Sequence, residues 1–254
     1  MPTLSDPSVQ LYTVRAALAA DPDAALARLA DLGFRIVEPF GLLEHRELLR
    51  AGLAAHRLSA PTTHADFLGP EAADVFAAAG ELGIGTVIQP WTQPARWQTA
   101  ESVAEVAARL NDAAEAASGL GLRVGYHNHE FELASRIGGR HALEVFADQL
   151  RPDVVLEVDT WWAYIGGADV PDLLERLGDR VVALHLKDGD GSGGGRVQVP
   201  LGDGVLPLHE ILAVAPTALR VVELDDTAGD VFEAIRIGRE RLGVRAGNGG
   251  PAGG

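Results

Sequence analysis

The stretch Val9–Arg15, VQLYTVR, reads as a short strand that runs out through Gln10, Leu11, Tyr12, Thr13, Val14 and Arg15 without a glycine. An open, doubly wound sheet would usually carry a glycine-rich phosphate loop at this point, after its first strand. Without that loop, the first strand points to a closed barrel. The rest of the chain agrees, because short β-branched runs alternate with longer Ala/Leu-rich ones, as βα units around a parallel sheet do. The expected strands are 9–12, 36–39, 59–64, 86–90, 123–128, 154–159, 181–187 and 219–224. Expected helices include 22–32, with Asp21 as N-cap, Pro22 at its first position and Gly33 closing it. Others are 100–118, 169–177, 207–214 and 230–242. Eight such units in 254 residues suit a single (β/α)8 barrel over residues 1–245. The glycine-rich tail 246–254 and the insert 188–196 are expected to be mobile.

Composition removes several function classes. There is no cysteine, so disulfides, thiolate catalysis and Cys-ligated zinc are excluded, and any metal must be held by His and carboxylates. A net charge of −15 with no basic run argues against a nucleic-acid partner. The N-terminus MPTLSDPSVQ has neither the basic nor the apolar region of a signal peptide, and no long uncharged apolar stretch suggests a membrane span. A soluble cytoplasmic protein is the resulting expectation; homo-oligomerisation is left open.

Polar residues collect where a barrel's pocket forms, at the strand C-termini. Glu38 ends the second strand, His64 the third, Gln89 the fourth, His127-Asn128-His129 the fifth, Glu157 and Asp159 the sixth, His185 and Lys187 the seventh, and Glu223 the eighth. Folding requires none of them, and buried acids are costly unless paired or metal-bound. On an extended strand His127 and His129 share a face, as do Glu157 and Asp159, and His185 and Lys187. Carboxylates and imidazoles converging from different strands make a site suited to Mn²⁺, Mg²⁺, Co²⁺ or Zn²⁺.

These motifs resemble the xylose isomerase-like TIM barrel superfamily of sugar phosphate isomerases/epimerases, also called AP-endonuclease family 2. The resemblance runs through VQLYTVR, GFRIVEPFG (33–41), YHNHEFEL (126–133), LEVDTWWA (156–163), HLKDG (185–189) and LGDGVLPL (201–208). It implies one divalent metal, Mn²⁺ first among the candidates, with Asp159, His185 and Glu223 as three ligands. The fifth-strand ligand departs from the commoner pattern. Glu132, folding back from the loop, is favoured over His127, which stands where many relatives place a Glu. Proton abstraction beside a carbonyl through an enediolate is the chemistry implied. Glu223 is then ligand and base, and His129 and Lys187 move protons. Glu38, His64 and Gln89 bind substrate hydroxyls, as does His127 where it is not the metal ligand, while Trp91 and Trp161, with Trp162, form apolar walls. Glu157 is expected to support the metal ligands from behind.

The substrate implied is an uncharged small sugar or keto-sugar, because the rim offers few cations beyond Arg15, Lys187 and Arg196. Isomerase or epimerase is the leading reading. A dehydratase or lyase acting on a keto-inositol or 3-keto-glycoside would use the same site. A non-catalytic sugar-binding barrel and an abasic-site nuclease are remoter alternatives.

Overall fold

The computed structural model describes residues 6–243 apart from 193, 194 and 196. The expectation for the tail 246–254 and part of that for the insert 188–196 lie outside the described residues. Eight strands form one parallel ring: β1 (Ser8–Gln10), β2 (Ile36–Glu38), β3 (Thr62–His64), β4 (Thr86–Gln89), β5 (Arg123–His127), β6 (Val155–Asp159), β7 (Val181–Leu186) and β8 (Leu219–Val222). β8 returns to pair with β1, Ser8 against Val221. Between β2 and β3 the ring is completed by one bridge, Ile36 with Ser59.

The pleat sorts the strand residues. Val9, Val37, Val124, Val158, Leu184 and Val222 face the helices and belong to the large apolar shell. The alternate positions face inward, where Ile36, Ala183, Leu219 and Val221 form a small apolar plug at the lower end of the barrel. Full burial of each Ile, Leu or Val among them contributes about 1.5–3 kcal/mol. Above the plug the inward positions turn polar. Gln10, Glu38, Glu157, Asp159, His185 and Glu223 are all buried. Gly125 on β5 belongs to this packing: a Cβ there would stand 2.6 Å from Ile88 Cδ1 and 3.0 Å from Val155 Cγ2.

Helices follow their caps. Asp21 accepts from Ala24 N at the start of Pro22–Asp31, Asp169 from Asp172 N before Val170–Leu177, and Asp230 from Phe232 N before Val231–Arg241. Thr99 and Ser102 close a capping box on Ala100–Ser118. No helix among the described residues is long and apolar enough to cross a membrane.

Three local expectations change. The first strand stops at Gln10, whose side-chain oxygen accepts Tyr12 N–H at 3.1 Å and starts a 3-10 turn over Leu11–Val14. The third begins at Thr62, because Pro61 has no amide to donate to a ladder and Ser59 pairs alone. The insert after β7 is built rather than loose at its base. Asp188–Gly189 pairs antiparallel with Gln198–Val199, and the buried Asp188 carboxylate accepts N–H bonds from Gly189, Gly202, Gly204 and Leu206. That carboxylate also orders the Gly202-Asp203-Gly204 turn. A Cβ on Gly204 would lie 2.1 Å from Asp188 Oδ1, so only glycine admits this approach.

Candidate active site

Strand register brings the expected acids and imidazoles together. Asp159 lies opposite His185, and His127 opposite Glu157. Asp159 ends β6 and caps the next helix, Thr160–Ile165, its Oδ1 accepting Trp162 N–H at 2.9 Å. Asn128 clamps the same residue's backbone by accepting from Asp159 N at 3.0 Å and donating to Asp159 O at 3.3 Å. Asp159 Oδ2 therefore points into the barrel mouth. It lies 2.9 Å from Lys187 Nζ as an ion pair and 3.8 Å from His127 Nε2, with no aligned hydrogen bond. Burial, ahead of any neighbouring charge, raises its pKa to about 6.

His185 is the hub. Its Nδ1 meets Glu223 Oε2 at 2.5 Å, and its Nε2 meets Glu38 Oε1 at 2.6 Å and Glu157 Oε2 at 3.0 Å. Burial alone would lower its pKa. The carboxylates of Glu157, Glu223 and Glu38 outweigh burial and hold it well above the usual range. Glu38 forms the floor, held by Gln10 Nε2 at 2.8 Å and by the Thr62 hydroxyl; burial and the nearby Glu157 raise its pKa. Glu157 Oε2 also takes His64 Nε2 at 2.5 Å and His127 Nδ1 at 3.1 Å, while its Oε1 is buried without a hydrogen-bond partner. With Nδ1 committed to Glu157, His127 turns Nε2 toward Asp159. Burial and the charge on His185 keep that imidazole neutral, its pKa well below normal.

Lys187 Nζ stands 2.9 Å from each of Asp159 Oδ2, Glu223 Oε2 and Asp225 Oδ2. Burial opposes its charge, but these three acids keep its pKa well above normal. The same ammonium and His185 hold Glu223 well below the carboxylate range despite its burial. His129 sits beside them, its ring stacked on Phe131 at 5.6 Å. Burial, then the Lys187 charge, lowers the His129 pKa to about 4, and its buried Nδ1 has no hydrogen-bond partner.

The donor chemistry fits a divalent metal. Asp159, His185 and Glu223 each offer a ligand atom, all within 4.8 Å of one another, and His64, His127, Glu157 and His185 form a second such group. Glu157 Oε1, buried without a hydrogen-bond partner, and Asp159 Oδ2, ion-paired to Lys187 without an aligned hydrogen bond, are the buried acceptors a cation would satisfy.

Other expected site residues are placed elsewhere. Glu132 is fully buried and is not brought to these groups. Its Oε1 accepts the Tyr126 hydroxyl at 2.7 Å and its Oε2 accepts His129 N–H at 2.8 Å, while burial raises its pKa to about 8. Gln89 bonds Phe67 N and Trp91 O, so it shapes two loops rather than lining the cavity. Trp161 is completely buried under the insert, its Nε1–H donating to Gly195 O at 2.8 Å, and it does not line the cavity over the site. Trp162 stands 5.7 Å from Lys187 Nζ as a cation–π partner. Glu38 lies beneath the cavity, whereas His64, Trp91, His127, His129, Lys187 and Glu223 line it. Arg15 donates to Tyr12 O and Asp225 O, and Arg196 lies outside the described residues. Sequence reading passed over Asp225, which holds Lys187 and accepts Gln198 Nε2–H at 2.9 Å. Its two-residue spacing from Glu223 was the available signal.

The model of the xylose isomerase-like TIM barrel family matches residues 26–215. Among solved structures, a sugar phosphate isomerase/epimerase from Parabacteroides distasonis is 21% identical with a TM-score of 0.76, covering 92% of each chain. A probable 3-DHS dehydratase involved in petrobactin synthesis, from Bacillus anthracis, is 14% identical with a TM-score of 0.72, covering 95% of this chain and 100% of that one. The IOLI protein with a bound zinc atom is 14% identical with a TM-score of 0.67, covering 92% and 95%. At such identities the likeness is one of fold. No curated protein matches the chain by sequence.

Proposed function

For a chain that belongs to the xylose isomerase-like TIM barrel family, we propose divalent-metal-dependent isomerisation or epimerisation of a ketose or keto-sugar. The observation that carries this reading is the convergence of Asp159, His185 and Glu223 donors within 4.8 Å, with Asp159 Oδ2 buried and lacking a hydrogen bond. These three would hold the metal, His185 giving up its extra proton to the cation's charge, and His127 rather than Glu132 would be the fourth ligand. His127 is neutral, and its Nδ1–H to Glu157 fixes the ring and leaves Nε2 free, the usual support for a metal-bound imidazole. Both Glu132 oxygens are already engaged. The metal, Mn²⁺ or another divalent ion such as the zinc of IOLI, would act as a Lewis acid on the carbonyl and an adjacent hydroxyl oxygen.

The protein's own groups then move the proton. His129, neutral at pH 7 and with an unpartnered Nδ1, takes it from the carbon beside the carbonyl. Lys187, held protonated by three acids, stabilises the negative charge developing on oxygen. His129, carrying that proton, returns it to carbon, while Glu223, held anionic, serves as ligand and offers a second base. His64, at the cavity wall, orients a hydroxyl.

A second reading, dehydration or β-elimination from a keto-inositol or 3-keto-glycoside, is supported by the Lys187 ammonium beside His129 in one cavity. There Lys187 would protonate the departing oxygen. The test is metal analysis of the purified protein, followed by solvent-deuterium incorporation into a panel of ketoses and keto-glycosides. Exchange at the carbon beside the carbonyl, abolished in Asp159→Ala, supports the proposal, and an unsaturated product would select elimination. Neither exchange nor metal in the wild type would overturn both.

A further inference from the structure

The cavity over this site measures about 570 Å³. That lies within the range of about 300–1,000 Å³ that encloses drug-sized ligands, more than a single six-carbon ring needs. Its inner end carries His64, His127, His129, Lys187 and Glu223, while its outer wall is aromatic and aliphatic, with Tyr12, Phe40, Leu42, Val75, Pro90 and Trp91.

Two of these aromatics are held out toward solvent, Tyr12 at 41% and Trp91 at 46% exposure. Neither is loosely attached. The Arg15 guanidinium lies over one face of the Tyr12 ring at 4.4 Å and donates to Tyr12 O at 3.0 Å, and Phe40 meets the ring edge-on at 5.3 Å. The Trp91 carbonyl is pinned by Gln89 Nε2–H at 2.9 Å, and Gln89 is itself anchored to Phe67 N. Exposed aromatics on fixed backbones at the mouth of a pocket are the surfaces on which flat or ring-shaped groups stack.

Charge excludes the other common extension of a sugar, a phosphate. Lys187 is the only Lys or Arg lining the cavity among the described residues, and three carboxylates already hold it. Glu44, Asp66, Glu71, Glu223 and Asp225 line the same space. A phosphate site needs unpaired cations or clustered backbone N–H groups.

We propose that the substrate is an uncharged sugar bearing a second ring, aryl or glycosyl, with its sugar end at His129 and Lys187 and its second ring against Tyr12 and Trp91. The inner half of this inference rests on the keto-sugar reading; the outer half does not. The test is calorimetric binding of phenyl β-D-glucoside, cellobiose, methyl β-D-glucoside and glucose 6-phosphate to the metal-loaded protein. Phenyl glucoside or cellobiose, whichever names the class, is expected to bind about ten-fold tighter than the methyl glycoside, with the phosphate weakest. Tyr12→Ala and Trp91→Ala, verified as folded by circular dichroism, should bring the ring-bearing and methyl ligands to similar affinity. Equal wild-type affinity for the methyl and ring-bearing ligands, no binding of either ring-bearing ligand at millimolar concentration, or preference for the phosphate overturns the proposal. Deuterium exchange into unsubstituted ketoses with no preference for ring-bearing ligands would sink this inference alone. A ring preference without exchange in any keto-sugar would sink the reaction assignment instead.

Discussion

The two oxygens of Asp159 have different surroundings: Oδ1 caps a helix, while Oδ2 faces Lys187 and His127 without an aligned hydrogen bond. The helix cap and the candidate metal group therefore depend on one side chain. The fourth-ligand question is settled by paired variants, with Mn²⁺ binding measured by calorimetry. His127→Ala should lose at least about 100-fold in affinity, and Glu157→Gln about 10–100-fold through the loss of ring orientation. Glu132→Gln should bind as wild type does, and the reverse pattern would reinstate Glu132 as the ligand. Glu132 also has a pH signature. Its folded pKa of about 8 exceeds the ordinary carboxyl value of 4.5, so the folded chain keeps a proton that the unfolded chain loses. The stability it supplies is full below pH 4.5 and declines up to pH 8, at no more than about 1.4 kcal/mol per pH unit. Gln keeps one carbonyl oxygen to accept from the Tyr126 hydroxyl or His129 N–H and, like the neutral acid, carries no charge. Urea unfolding of Glu132→Gln across this range should show a flatter profile than wild type. His127 and Glu132 both stood out in the sequence as polar residues near a strand end. Nothing in the spacing revealed that a tyrosine from the same strand, Tyr126, would take up the acid.

Among the elements, the insert after β7 carries the clearest stability prediction. Asp188 satisfies four backbone amides across 188–206, so Asp188→Ala should cost about 3 kcal/mol in denaturant unfolding and expose that segment to proteolysis. A loss under about 0.5 kcal/mol would mean the amides find water instead. Gly125→Val should also destabilise, because its side chain would overlap Ile88 and Val155 inside the barrel. Of the five helices placed from the sequence, four carry a local signal, Asp21, Thr99, Asp169 or Asp230 as cap, whereas Arg46–His56 and Ala72–Glu81, which lack a side-chain cap bond, were not placed. The base of the insert was not legible for the same reason: the Asp188 carboxylate acts on partners up to eighteen residues away.

For the whole molecule, a cation bound only by the closed ring must stabilise the ring. Mn²⁺ at about 100 times its Kd should raise the unfolding free energy by about 2.7 kcal/mol. Chelation should reverse the shift, and Asp159→Ala should abolish it, read as the change in thermal midpoint. The eight-strand barrel was readable from the sequence because its period-two strands, capped helices and polar strand ends are each written within a few neighbouring residues. The absence of glycine in VQLYTVR had the same local character, and it correctly removed the open sheet. Tertiary structure alone decided which polar ends meet. Strand register places His127 on Glu157 and Asp159 on His185, barrel closure lets Glu38 reach His185, and helix packing buries Trp161 while leaving Trp91 at the mouth. These contacts join residues from 26 to 147 positions apart. Their energies depend on burial and on neighbouring charge, which one-dimensional spacing does not encode.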